Sequence, residues 1–217
     1  MTKKADNYHH GNLRQAMLDA AAAILAEDGL QGLTLRACAR KAGVSHAAPA
    51  HHFKGLTGLR TAIAAESFHM IAALAEKVFA QNDGNAAILL RDFAVAYSSF
   101  AKNKPERFRL MFRRDLLDID DQGLCDAEER AYTTFVNIVH AVRGEEAGTL
   151  AEFREGKLPK ELYSDITLYW SVVHGFAHLN IERQWDGYGE IMGAKDFETE
   201  ILADITRRIV PTKKPND

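Results

Sequence analysis

Residues 34–60, TLRACARKAGVSHAAPAHHFKGLTGLR, leave the chain little choice of local structure. Leu35, Cys38, Ala39 and Ala42 recur at i, i+3, i+4 and i+7, which puts them on one helical face while Arg36, Arg40 and Lys41 point elsewhere. Thr34 stands where its hydroxyl caps that helix. Gly43 follows where a helix turns left-handed and stops, and Ser45 offers its hydroxyl to the first N–H groups of a next helix. The spacing predicts two short helices joined by a Gly-containing turn, followed by a third helix that Thr57 caps. Pro49 lacks the N–H that would bond the Ser45 carbonyl, so either the second helix opens with a 3₁₀-like turn or its cap lies one residue later.

Charge gives this segment a partner. From Gly29 to Ala65 there is no Asp or Glu, while Arg36, Arg40, Lys41, Lys54 and Arg60 lie there with His46, His51 and His52. Residues 1–60 contain eight Lys or Arg against four Asp or Glu, and the remainder 19 against 26, within a net charge of −3. A surface rich in donors and free of carboxylates suits a phosphate backbone, and the acidic remainder argues against unspecific coating of nucleic acid. The plainer alternative is a helical hairpin with a solvated basic face; the concentration of donors on a helix-turn-helix favours a DNA reader.

YHHGNLRQAMLDAA at 8–21, the run from Asp28 to Leu59, and Trp170-Ser-Val-Val-His174-Gly175 carry a resemblance. They resemble the TetR family of bacterial transcriptional regulators, and within it the branch with a Trp-x-x-x-His-Gly signature in its C-terminal domain. The resemblance implies an all-α fold with a helix-turn-helix DNA-binding domain at 1–56 and a ligand-binding and dimerisation domain at 57–217, linked by a helix over 57–81. It places His46, Ala47, Ala48 and His51 against bases and Thr34, Arg36 and His52 against phosphates; an Ala methyl meets a thymine methyl, and a His donates to a purine N7 or O6. Two departures stand out: Ala50 where the family usually has Tyr, and Leu56 where it usually has Lys. Lys54, Arg60, the start of the Thr57 helix and an N-terminal arm with Lys3, Lys4, His9 and His10 are then expected to supply phosphate contacts. The implied function is a homodimeric regulator, by family habit a repressor, that binds a pseudo-palindromic operator and is released by a small apolar or amphipathic effector. No cofactor is implied.

The rest of the chain reads as helices. A first helix over Asn12–Asp28 buries Leu13, Met17, Ala20 and Ile24 and stops at Gly29. Later helices run from Asn85 to Asn103, from Pro105 through ERFRLMFRR, and from Cys125 to Arg143, with a loop at 144–159. Their aromatic residues exceed what simple packing needs; aromatic stripes at helical spacing also suit a plain core, and it is the resemblance that implies a pocket lined by Phe93, Tyr97, Phe100, Phe108, Met111, Phe112 and Phe135, with Trp170 and His174. The next helix, Lys160–Trp185, is apolar on two faces: Ile166, Trp170, Val173, Ala177 and Ile181 on one, Leu168, Val172, Gly175 and Leu179 on the other. A helix needing cover on both sides is central or shared with a second copy, and a last helix carrying Ile201 and Ile205 is expected to join that interface.

Other function classes find less support. The two cysteines, Cys38 and Cys125, have no partner spacing, and no apolar run reaches bilayer length, so a reduced, cytoplasmic chain without a membrane partner is expected. A phosphate loop, a nucleophile elbow and a metal-ligand Cys set are missing, so an enzyme is not expected; a helical enzyme or a DNA-independent interaction module is the alternative. His174 and His178 stand four apart, but no third ligand lies near them in sequence, so no metal site is expected.

Overall fold

The first helix ends because of one glycine. In the computed structural model, which describes residues 10–45, 52–146, 152 and 155–210, α1 spans His10–Gly32 but breaks at Gly29, whose φ of +66° no helix continues. Met17, Ala21, Ile24 and Leu25 form its buried stripe. α2 spans Leu35–Lys41, and the Ala37 N–H donates to the Thr34 hydroxyl at 3.1 Å. Gly43 has φ +69°, and the Val44 N–H returns to the Ala39 carbonyl at 3.0 Å, closing the helix end as the spacing requires. The arm up to His9 and the second short helix, with His46, Ala47, Ala48, Pro49, Ala50 and His51, lie outside the described residues.

α3 spans Gly55–Gln81. It starts two residues before the expected cap: Gly55 has φ +80°, and its N–H reaches the Phe53 carbonyl at 2.8 Å. Thr57 therefore sits within the first turn, and its carbonyl accepts the Thr61 hydroxyl at 2.8 Å. Phe53 sets this entry angle, buried with the Arg14 guanidinium 5.8 Å from its ring centre.

The chain forms two compact units, one made of residues up to Ser67 together with Glu106–Cys125, the other of Phe68–Pro105 and Asp126 onward. The division falls inside α3, eleven residues past the boundary expected at Thr57, and α3 belongs to both units. In the first unit, α5 (Pro105–Met111) contributes the buried Phe108, Leu110 and Met111. Arg107 pairs with Glu66 at 2.7 Å, and the Asp118 N–H donates to the Thr61 hydroxyl at 2.9 Å. A short 3₁₀ turn, Arg114–Leu116, lies between them.

The second unit is built on α4, Ala86–Asn103, capped by Asn85, whose side chain accepts from the Ala87 and Ile88 N–H groups. It packs against α7 (Lys160–Ile181) and α9 (Phe197–Ile209). α6, Gln122–Arg143, begins one turn before the expected Cys125 because the Asp121 carboxylate takes the Leu124 N–H at 3.0 Å. α7 ends at Ile181 rather than Trp185: the chain turns there, with Arg183 at φ +59° and Gly187 at φ +83°, before a five-residue α8, Tyr188–Met192. Asp196 caps α9 by accepting from the Thr199 N–H. Fully buried Tyr169, Leu90, Phe135 and Val173 fill the unit, each burial stabilising it by roughly 1.5–3 kcal/mol. Among the described residues the structure is all-α.

Candidate nucleic-acid interface and ligand-binding core

Several donors of the first unit lie at helix starts. Thr34 is exposed, and because its oxygen accepts from Ala37, its own hydroxyl proton is still able to donate. Arg36 follows, exposed in the first turn of α2; Lys41 on the last turn is held by Glu27 at 2.6 Å. Lys54 and Thr57 are exposed at the start of α3, whose first turn carries no acidic residue, so its N–H groups and dipole favour an anion. His52 and Arg60 are half-buried beside them, and the Arg60 Nε is buried with no hydrogen-bond partner among the described residues.

The second unit places its chemistry in an aromatic cluster. Phe93 of α4 lies 5.8 Å from the Tyr97 ring and 5.4 Å from Phe135 of α6. Trp170 of α7 makes T-shaped contacts with Tyr97 at 5.7 Å and Phe135 at 5.5 Å, and stacks on His174 at 5.2 Å and 15°. The Tyr97 hydroxyl and His174 Nδ1 are 2.8 Å apart. Burial pushes the Tyr97 phenol well above its usual value; burial, then the adjacent His178, pull His174 down to about 4, so both groups are neutral near pH 7. On the same two helices, the Asn180 amide donates to the Ser98 hydroxyl at 3.2 Å, and Glu198 holds Lys102 by an ion pair. Among the described residues no group of three or more His, Cys, Asp or Glu is placed to hold a metal ion, and no helix is long and apolar enough to cross a membrane.

Two family profiles match this chain, one described as bacterial regulatory proteins of the tetR family over residues 17–63, the other as a tetracyclin repressor-like C-terminal domain over residues 90–194. The chain belongs to the TetR family. Its relatives include an uncharacterised HTH-type transcriptional regulator of Mycobacterium tuberculosis, 25% identical over 197 residues, which cover 90% of this chain and 82% of that protein. Among solved structures it is similar to a protein of unknown function from Rhodococcus sp. RHA1, at 27% identity and a TM-score of 0.72, covering 94% of this chain and 96% of the other. The TetR-family regulator PfmR from Thermus thermophilus shares the fold at 16% identity and a TM-score of 0.59, covering 91% and 98%. This TetR-family chain is therefore a DNA-binding transcriptional regulator, not an enzyme.

In this TetR-family regulator, Thr34, Arg36, Ser45, His52, Lys54, Thr57 and Arg60 all fall in the first unit, whereas the four residues expected to face bases, His46, Ala47, Ala48 and His51, lie outside the described residues. Of the expected pocket residues, Phe93, Tyr97, Phe135, Trp170 and His174 meet in one cluster, and Phe100 is buried on α4 in the same unit. Phe108, Met111 and Phe112 belong to the first unit, where the Phe108 and Phe112 rings meet edge-on at 5.3 Å. Of the expected interface residues, Leu168 and Leu179 are 42% and 43% exposed, while Val172, Gly175, Ile201 and Ile205 are half-buried. The Ser98–Asn180 bond and His178 beside His174 were not anticipated as parts of the core; the i, i+4 spacing of the two histidines was the one available signal.

Proposed function

We propose that this regulator is a repressor that binds a pseudo-palindromic operator as a homodimer and leaves it when a small apolar or amphipathic effector enters the aromatic core of the second unit. The observation that carries the homodimer is the outer face of α7. Leu168, Val172, Gly175 and Leu179 form one stripe, its two leucines exposed, and a Cβ built on Gly175 would meet nothing within 4 Å. Such a stripe suits a second copy of the same helix, approaching most closely at Gly175. Two reading heads then address two half-sites.

An effector releases DNA only if it binds the DNA-free arrangement more tightly than the bound one. α3 belongs to both units, at roughly 40 Å of continuous helix, and is the element through which that difference would be expressed. The test is a mobility-shift assay with DNA flanking the protein's own gene, beside sedimentation of the native protein and of Leu179→Glu. The native protein should sediment as a dimer and shift the DNA; Leu179→Glu should sediment as a monomer and bind at least tenfold more weakly. A Leu179→Glu protein that stays dimeric would place the interface elsewhere.

A further inference from the structure

The large apolar side chains left exposed on this chain are concentrated on two successive helices. Among the described residues seven such side chains stand out, and five belong to α7 and α8: Leu168, Leu179, Tyr188, Ile191 and Met192. Ile191 is 83% exposed, Met192 52% and Tyr188 45%. α8 is five residues long, has Glu190 as its one charged residue, and lies between the left-handed Gly187 and Gly193. A helix this short does not hold itself together in water. Tyr188 anchors it, 5.5 Å from the Trp185 ring and 6.1 Å from Phe197, and Ile191 and Met192 are left outside. Single exposed apolar residues need no partner, but three within five residues, beside a further exposed stripe, mark a contact surface.

α8 is tied to the edge of the α7 stripe. Phe176 follows Gly175 at that edge, its ring stacks on Trp185 at 5.9 Å, and Trp185 in turn meets Tyr188. The stripe alone is too small to hold two copies together. From Leu168 to Leu179 it covers roughly 17 Å of helix about 10 Å wide, or roughly 170 Å², against about 800 Å² per partner in a stable complex. Ile201 and Ile205 of α9 are half-buried and have little surface left to add. A dimer through α7 therefore has to cover neighbouring surface as well, and α8 is the exposed apolar surface that adjoins it. A second copy is the occupant that meets this need, because one two-fold contact covers α8 on both copies at once.

We propose that α8, through Tyr188, Ile191 and Met192, forms a second part of the homodimer contact and is covered by another copy of this chain. This rests on the reading of the outer face of α7 as the dimer contact. Sedimentation velocity over a dilution series of the full-length protein tests it, comparing the native chain with Ile191→Glu, Met192→Glu, Leu179→Glu and Phe79→Glu. Phe79 serves as the comparison, an apolar side chain 43% exposed on α3 rather than on α7 or α8. Ile191→Glu and Met192→Glu should each raise the dimer dissociation constant at least tenfold, because a two-fold contact feels every change twice. Phe79→Glu should leave it unchanged, and circular dichroism should report the same helix content throughout. If one α8 variant does not fold, the other carries the comparison. A monomeric Leu179→Glu beside α8 variants that dimerise as tightly as the native chain overturns the part given to α8 and leaves the α7 contact in place. Equal weakening by Phe79→Glu overturns it too, since the effect would then not belong to α8. A native chain that is monomeric throughout, or dimers of native strength in the α8 variants and Leu179→Glu alike, overturns both readings.

Discussion

Replacing Glu66 by leucine should destabilise the first unit more than replacing Arg107 by methionine, although both remove the same 2.7 Å ion pair. The two side chains differ in what is left behind: that of Arg107 is 9% exposed and that of Glu66 26%. Without Glu66 the guanidinium remains almost fully dry, and without Arg107 the carboxylate rehydrates on its open side. Removing one partner of a buried pair costs about 3–5 kcal/mol. The near-complete burial of Arg107 puts Glu66→Leu at about 3 kcal/mol, and partial exposure of Glu66 reduces Arg107→Met to about 1–2 kcal/mol. The double variant, with matched apolar groups and no charge, should come within about 1 kcal/mol of the native protein, well short of the sum. Urea denaturation of the full chain followed by circular dichroism at constant pH measures this; with a slope of about 1–3 kcal/mol per molar, the Glu66→Leu midpoint should fall by about 1–3 M. Equal losses in the two single variants, or additivity in the double, would refute the reasoning, because neither arises if burial of the cation dominates.

Two further outcomes follow from local geometry. His174 titrates near 4 in the folded chain and near 6.5 when unfolded, so the unfolded state takes up its proton first as pH falls. Stability from this group is complete above about pH 6.5 and is lost between there and pH 4. The full difference would be roughly 3 kcal/mol, and solvent reaching the half-buried ring reduces it to about 1–2 kcal/mol. His174→Phe should flatten that part of a stability profile measured by thermal unfolding; an unchanged slope would exclude His174 as its source. Gly29→Ala places a Cβ at φ +66°, where Glu106 at 3.8 Å leaves room but the backbone is strained. A loss of about 1–2 kcal/mol in chemical denaturation is expected, and no loss would mean that α1 can straighten through residue 29.

What was legible in the sequence was local. The cap at Thr34, the left-handed Gly43 and the break at Gly29 depend on residues within a few positions of one another, and each was placed from spacing alone. Gly55 and Thr57 both offer plausible beginnings for α3, and the left-handed Gly55 is where it starts, beside Phe53 buried against Arg14 of α1. The apolar pattern of α7 runs on to Trp185, so periodicity could not report the turn at Arg183. Of the candidate pocket, the residues on α4, α6 and α7 were readable as inward stripes. That Phe108 and Met111 belong to the first unit depends on Arg107 finding a carboxylate 41 positions earlier in the chain. The Tyr97–His174 bond spans 77 positions, and only the folded chain brings its ends together.

The first unit is assembled from two separate stretches of chain, and this sets an order of events during synthesis. When Ser67 leaves the ribosome, Glu66 and Thr61 still lack Arg107 and the Asp118 N–H, and the missing piece closes only once Cys125 is made. At about 5–20 residues per second the wait is roughly 3–12 s, during which the nascent helices present an unfilled apolar face. The same discontinuity governs domain grafting. A chimera cut at residue 56 would carry the reading helices away from their own closing segment and set them on another protein's. A transplant that takes 106–125 along with 1–67 keeps the unit whole.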